Sequence, residues 1–121
     1  MKKFLAVTTL LVCAVVLCSC TPDCESLKKK YENNGYTVVY EEYDEEDSEL
    51  EYFFYASKDW MEVTVECYKN GDDAKKRYDE INAQIEESNK LIDELNGSKR
   101  NKVIKQGNAI IYGNEDAVDI A

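Results

Sequence analysis

Residues 60–68 read WMEVTVECY. Met61, Val63, Val65 and Cys67 fall on one side of an extended chain, and Glu62, Thr64, Glu66 and Tyr68 on the other. That period of two is what a strand with one covered face imposes. It is the clearest strand of the chain, and the fold is read outward from it. Upstream, Lys58-Asp59 reads as a tight turn, and Glu51 to Ser57, with Tyr52, Phe53, Phe54 and Tyr55, as a second strand. An acidic turn separates that strand from Tyr36 to Tyr43, a third segment rich in tyrosine and valine. The three segments predict an antiparallel meander.

On the other side of residues 60–68, Asn70-Gly71-Asp72 opens a long helix that Gly97 ends. Ala74, Tyr78, Ile81, Ile85, Ser88, Ile92 and Leu95 recur at spacings of four and three, a single apolar seam. The seam is too short for a stable coiled coil and predicts packing on the protein's own sheet. Asp73 with Arg77, and Glu86 with Lys90, stand four apart as candidate ion pairs on the exposed side. Lys102 to Gln106 and Ala109 to Tyr112 then pair across Gly107-Asn108, and Asn114 caps a last short helix containing Ala117 and Val118. Before the meander, Thr21-Pro22 starts a helix whose narrow apolar face is Cys24, Leu27 and Tyr31, ended by Gly35. The order is α-β-β-β-α-β-β-α. The expected class is α+β, a mostly antiparallel sheet with the helices, the long one foremost, on one face.

The first twenty residues are of another kind. Lys2 and Lys3 precede an apolar run from Phe4 to Leu17 that holds no acidic residue, the layout of a secretory signal peptide. The run is short of the roughly 20 apolar residues that cross about 30 Å of hydrocarbon. It ends Leu17-Cys18-Ser19-Cys20, which resembles the bacterial lipobox. Leu17, Ser19 and Cys20 match that pattern, while Cys18 departs from the usual small or hydroxyl residue. The resemblance implies a diacylglyceryl group on the Cys20 sulfur, and cleavage that leaves 1–19 as signal and 20–121 as the mature domain. The chain as a whole resembles, in layout only, small bacterial lipoproteins of uncharacterised function that join a lipobox to a compact α+β domain. In a cell with two membranes, Thr21 rather than aspartate after the anchor implies the outer one.

Without Lys2 and Lys3 the mature part carries 13 basic and 25 acidic residues, about −12. Such a surface repels nucleic acid and anionic headgroups, so the lipid must supply the membrane affinity. Of the five cysteines, Cys24 and Cys67 remain to the domain. Outside the cytoplasm they are a candidate disulfide. The alternation around Cys67 equally admits a plain buried thiol.

The chain has no histidine, hence neither the commonest general base near neutral pH nor the commonest metal ligand. Eight carboxylates between Glu41 and Glu51 lack the glycine and alternate spacing of a hand-type calcium loop and read as a solvated turn. No catalytic residue, metal or cofactor is expected. Tyr52, Phe53, Phe54 and Tyr55 point to both faces of their strand; with Trp60 they are the candidate interaction surface, for an envelope protein or a glycan. The expectation is a monomeric, lipid-anchored, non-enzymatic binding module. A purely structural lipoprotein is the alternative, and a carboxylate-dependent hydrolase a more remote one.

Overall fold

A computed structural model describes residues 24–43, 49–97 and 99–121. The signal, Cys20, the Thr21-Pro22 helix start and most of the acidic turn lie outside these residues. The described elements are α1 (Cys24–Asn33), β1 (Thr37–Tyr43), β2 (Leu50–Lys58), β3 (Met61–Tyr68), α2 (Gly71–Glu94), β4 (Asn101–Gln106), β5 (Ala109–Asn114) and α3 (Glu115–Val118). This is the expected α+β order. The strands form one antiparallel sheet in the order β1-β2-β3-β5-β4, with β3 in the middle.

The strand residues sort onto two faces. Tyr52, Phe54 and Ala56 of β2, Val63, Val65 and Cys67 of β3, and Ala109 and Ile111 of β5 join Leu27 and Tyr31 of α1 and Ala117 and Val118 of α3 in the larger core. Ile110 and Val103 point to the opposite face, where Ala74 and Ile81 of α2 meet them. The helices therefore cover both faces, not one as expected. The physical reason lies in β5. Ile110 and Ile111 are neighbours and both fully buried, so neither side of that strand can be left to solvent.

Tyr31 ties the larger core together. Its ring packs edge-on against Tyr36 and Phe54, and its hydroxyl donates to the Ala117 carbonyl at 2.7 Å. That bond answers the polar tip of a residue that is otherwise fully buried.

α2 starts where Asn70 accepts a hydrogen bond from the Asp73 backbone at 2.9 Å. Asn96 (φ 60), not Gly97, takes the left-handed conformation at its end. At 24 residues the helix is about 36 Å long. The six-residue strands beneath it span only about 20 Å. The expected seam therefore runs out, and Leu95 is left 80% exposed. Near that point Asn89 exchanges two hydrogen bonds of 3.0 Å with the backbone of Asn101, fastening the helix to the start of β4.

Two turns are informative. Lys58 pairs with Met61, so the β2–β3 turn is Asp59-Trp60, one residue later than the sequence suggested, with Asp59 at φ 57. Gln106 pairs with Ala109 across Gly107-Asn108, with only Gly107 at positive φ, a type II′ hairpin as the spacing required. In β1 the register shifts between Val38 and Tyr40. The bulge leaves Val39 58% exposed on the edge strand, where it discourages pairing with another chain.

Candidate functional site

The β2 aromatics separate cleanly. Tyr52 and Phe54 are buried in the larger core, so half of the expected strand surface is unavailable to a partner. The period of two decides this: α1 claims one face of β2. Phe53 and Tyr55 stand on the other face and are half-buried. The contacts of α2 are with β4, β5 and β3, so its cover fades toward β2. Tyr40, opposite Tyr55 and 50% exposed, extends the patch onto β1, its ring centroid 5.6 Å from that of Phe53.

Carboxylates rim this patch. The Tyr40 hydroxyl donates to Glu42 at 2.7 Å. The hydrogen bond of Tyr55 to Glu62 raises the phenol's pKa above its ordinary value, with burial adding to it. Across β1, β2 and β3 the only basic residue is Lys58, whose ammonium turns away to the Asn34 carbonyl at 2.9 Å.

Beside the patch, on the same face, lies a residue that sequence reasoning passed over. Glu66 is only 6% exposed although it is charged. Its Oε1 accepts from Arg77 Nε at 2.9 Å and Tyr68 at 2.7 Å. Its Oε2 accepts from an Arg77 terminal nitrogen at 3.2 Å and Tyr112 at 2.6 Å. Burial opposes the charge, but the bonds from Arg77, Tyr112 and Tyr68 outweigh it and hold the carboxyl below its usual range. Burial, then the bond to Glu66, pushes Tyr112 up to about 12. Arg77 was expected to pair with Asp73; its guanidinium instead spans to β3 and also touches Glu80 at 3.4 Å. With four donors on two oxygens, Glu66 is a saturated acceptor. Such a carboxylate positions a helix; it is not poised to take a proton from a substrate.

A second ionic cluster fixes α1. Glu41 accepts from Tyr52 at 2.8 Å and from Lys28 at 3.1 Å, and these bonds, that of Tyr52 first, hold its pKa down. One member of the acidic stretch is thus committed to the fold. Among the described residues no group of three or more Cys, Asp or Glu side chains could hold a metal ion.

Cys24 and Cys67 are joined by a disulfide that connects α1 to the end of β3. At the other end of β3, Trp60 is 51% exposed with the Lys99 ammonium 3.9 Å from its ring centroid. Among the described residues no helix is long and apolar enough to cross a membrane. Searches against protein-family models, curated proteins and solved structures return no match, so the site stands on its geometry alone.

Proposed function

We propose that this is a lipid-anchored, non-enzymatic protein of the bacterial envelope that docks a basic protein partner on the outer face of β1 and β2. The observation that carries the reading is the half-covered aromatic patch of Tyr40, Phe53 and Tyr55, bordered by Glu42 and Glu62, with the one basic residue of its strands, Lys58, turned away to Asn34. Aromatic rings supply contact area and attract arginine or lysine, and the carboxylates add the complementary charge. A purely structural lipoprotein would have no reason to leave such a face open. α1 lies on the opposite face of the sheet, so the patch opens away from the helix nearest the anchor.

The lipobox at Leu17 to Cys20 supports export and acylation, and the disulfide suits an oxidising compartment. The absence of histidine and the saturation of Glu66 support a role without catalysis. Photocrosslinking in intact cells tests the docking face. A crosslinker replacing Tyr40 or Phe53 captures the same protein. Glu42→Lys with Glu62→Lys abolishes the adduct, and a crosslinker at Lys105 does not form it. No shared adduct, or one indifferent to the two charge reversals, removes the reading.

A further inference from the structure

At the end of the sheet away from the disulfide, the β2–β3 turn and the segment entering β4 enclose a cleft of about 270 Å³. Trp60, Lys99, Arg100, Asn114, Glu115 and Asp116 line it. We infer that this cleft binds a neutral sugar ring, stacked on Trp60 and hydrogen-bonded by the polar side chains around it.

Three observations carry the inference. The first is the platform. A tryptophan left 51% exposed at a turn presents a flat apolar face on which the Lys99 ammonium is laid. The second is the wall. Apart from Trp60 every lining side chain is polar, so a wholly apolar ligand would gain little beyond one ring contact, whereas adjacent hydroxyls meet donors and acceptors together. The third is the charge. Lys99 and Arg100 stand with Glu115 and Asp116 in the cleft wall, and Arg100 is shared with Asp93 outside it, so both signs are present without a strong excess of either. A neutral ligand leaves that balance intact, whereas an ionic one breaks it on entering. The volume lies just under the ~300 Å³ at which small-molecule sites begin, room for one ring with the rest of a chain in solvent.

The wall is held in place. Asn114 accepts from the Glu62 backbone N–H, which locks the entrance to α3 against the start of β3. Arg100 is paired with Asp93, and its carbonyl accepts from the Glu115 backbone at 2.9 Å. Lys99 is the movable part: it lies over the very ring a sugar would cover, so binding displaces it. The site's place also fits presentation. Cys67 is six residues beyond Met61, so the cleft stands roughly 20 Å up the strand from the disulfide that adjoins the anchored end. This inference uses none of Tyr40, Phe53 or Tyr55, so it stands or falls apart from the docking face.

Trp60 is the chain's one tryptophan, and its fluorescence reports on the cleft directly. The lipoprotein in phosphatidylcholine nanodiscs is titrated with maltotriose, cellotriose and chitotriose. At least one produces a saturable change with an affinity of about 1 mM or tighter. Asp116→Asn and Glu115→Gln each weaken it about tenfold through lost charged hydrogen bonds. Lys99→Ala strengthens it several-fold by baring the ring. No saturable change with any of the three up to about 10 mM overturns the inference. So does a change that both acidic variants leave untouched, or one reproduced equally by an oligolysine peptide, which would assign the cleft to a protein.

Discussion

Glu66 and Arg77, eleven residues apart on β3 and α2, meet through two hydrogen bonds of 2.9 and 3.2 Å. The pair sets where the long helix sits on the sheet, because a guanidinium fork meets a carboxylate in only a few geometries. Glu66→Ala leaves two phenols and a half-exposed guanidinium without their acceptor, and should cost about 3 kcal/mol. That is less than for a fully enclosed pair, since the Arg77 side chain keeps 34% of its surface in water. Urea unfolding gives the value. A loss under about 1 kcal/mol would mean that the network adds little beyond packing.

The same cluster contributes to the pH limits of the fold at both ends. The folded pKa of Glu66 is depressed, so its contribution is present above the ordinary carboxylate range near 4.3 and lost as pH falls through the folded value. Tyr112 runs the other way. Raised from 10.0 to about 12, it contributes fully below pH 10 and loses that contribution as pH climbs toward 12, while the unfolded chain's phenol ionises first. Thermal midpoints should drop on both sides of this window. Glu66→Gln should flatten the acid limb; an acid limb identical to wild type would place the titrating group elsewhere.

Gly113 is expected to be the least replaceable glycine. It sits at φ 148, and a Cβ there would overlap the Glu62 carbonyl oxygen and lie 3.0 Å from the Val63 Cα. Both obstacles are backbone of the central strand and cannot move aside. Gly113→Ala should cost about 3 kcal/mol. Gly97→Ala meets the Ile92 γ2-methyl at 2.9 Å and the Ile92 carbonyl oxygen at 3.3 Å, at the frayed end of α2 rather than inside the sheet, and should cost less than Gly113→Ala, about 1 kcal/mol. Comparing the two midpoints in urea checks the ranking.

The Cys24–Cys67 disulfide spans a sequence separation of 43. Closing a loop of that length is worth about 4 kcal/mol in the chain-entropy model. Chemical denaturation with and without reductant should differ by that amount. Mass measurement of the non-reduced protein should find both thiols blocked; free thiols there would show that the sulfurs are not bonded.

On the lipobox reading, acylation rests on a single sulfur. Cys20→Ala should abolish metabolic labelling with a fatty acid and release the protein from the membrane fraction. Cys18→Ala should leave labelling intact. Undiminished labelling of the first variant would sink the assignment.

Much of the fold was legible because the chain's local signals agree with one another. The alternation through β3, the Gly107-Asn108 turn and the helix start at Asn70-Gly71-Asp72 each specify one local structure, and each forms as read. The placement of the helices was less legible. Ala109-Ile110-Ile111 is an unbroken apolar run, the mark of a strand covered on both sides, and it outweighs the economy of a single helical layer. The candidate site was half legible: alternation says that two of the four β2 aromatics are buried, but only the position of α1 says which two. Glu66 was hidden by its own pattern. An acidic residue on the outward side of a strand reads as solvated, and nothing local shows that a helix eleven residues on returns an arginine to it. The Trp60 cleft joins residues about 50 apart in sequence, which only the closed sheet brings together.

The sulfur bridge between α1 and β3 also makes the domain a mechanical part. On the lipid-anchored reading, tension at Cys20 reaches Cys24 after four residues and crosses at once to the strand in the middle of the sheet. The load bypasses the rest of α1 and both edge strands. β3 is held by ladders on either side, so drawing it out of the sheet breaks two rows of hydrogen bonds rather than one. On that reading a tug on the anchor is delivered to the central strand of the sheet rather than to an edge.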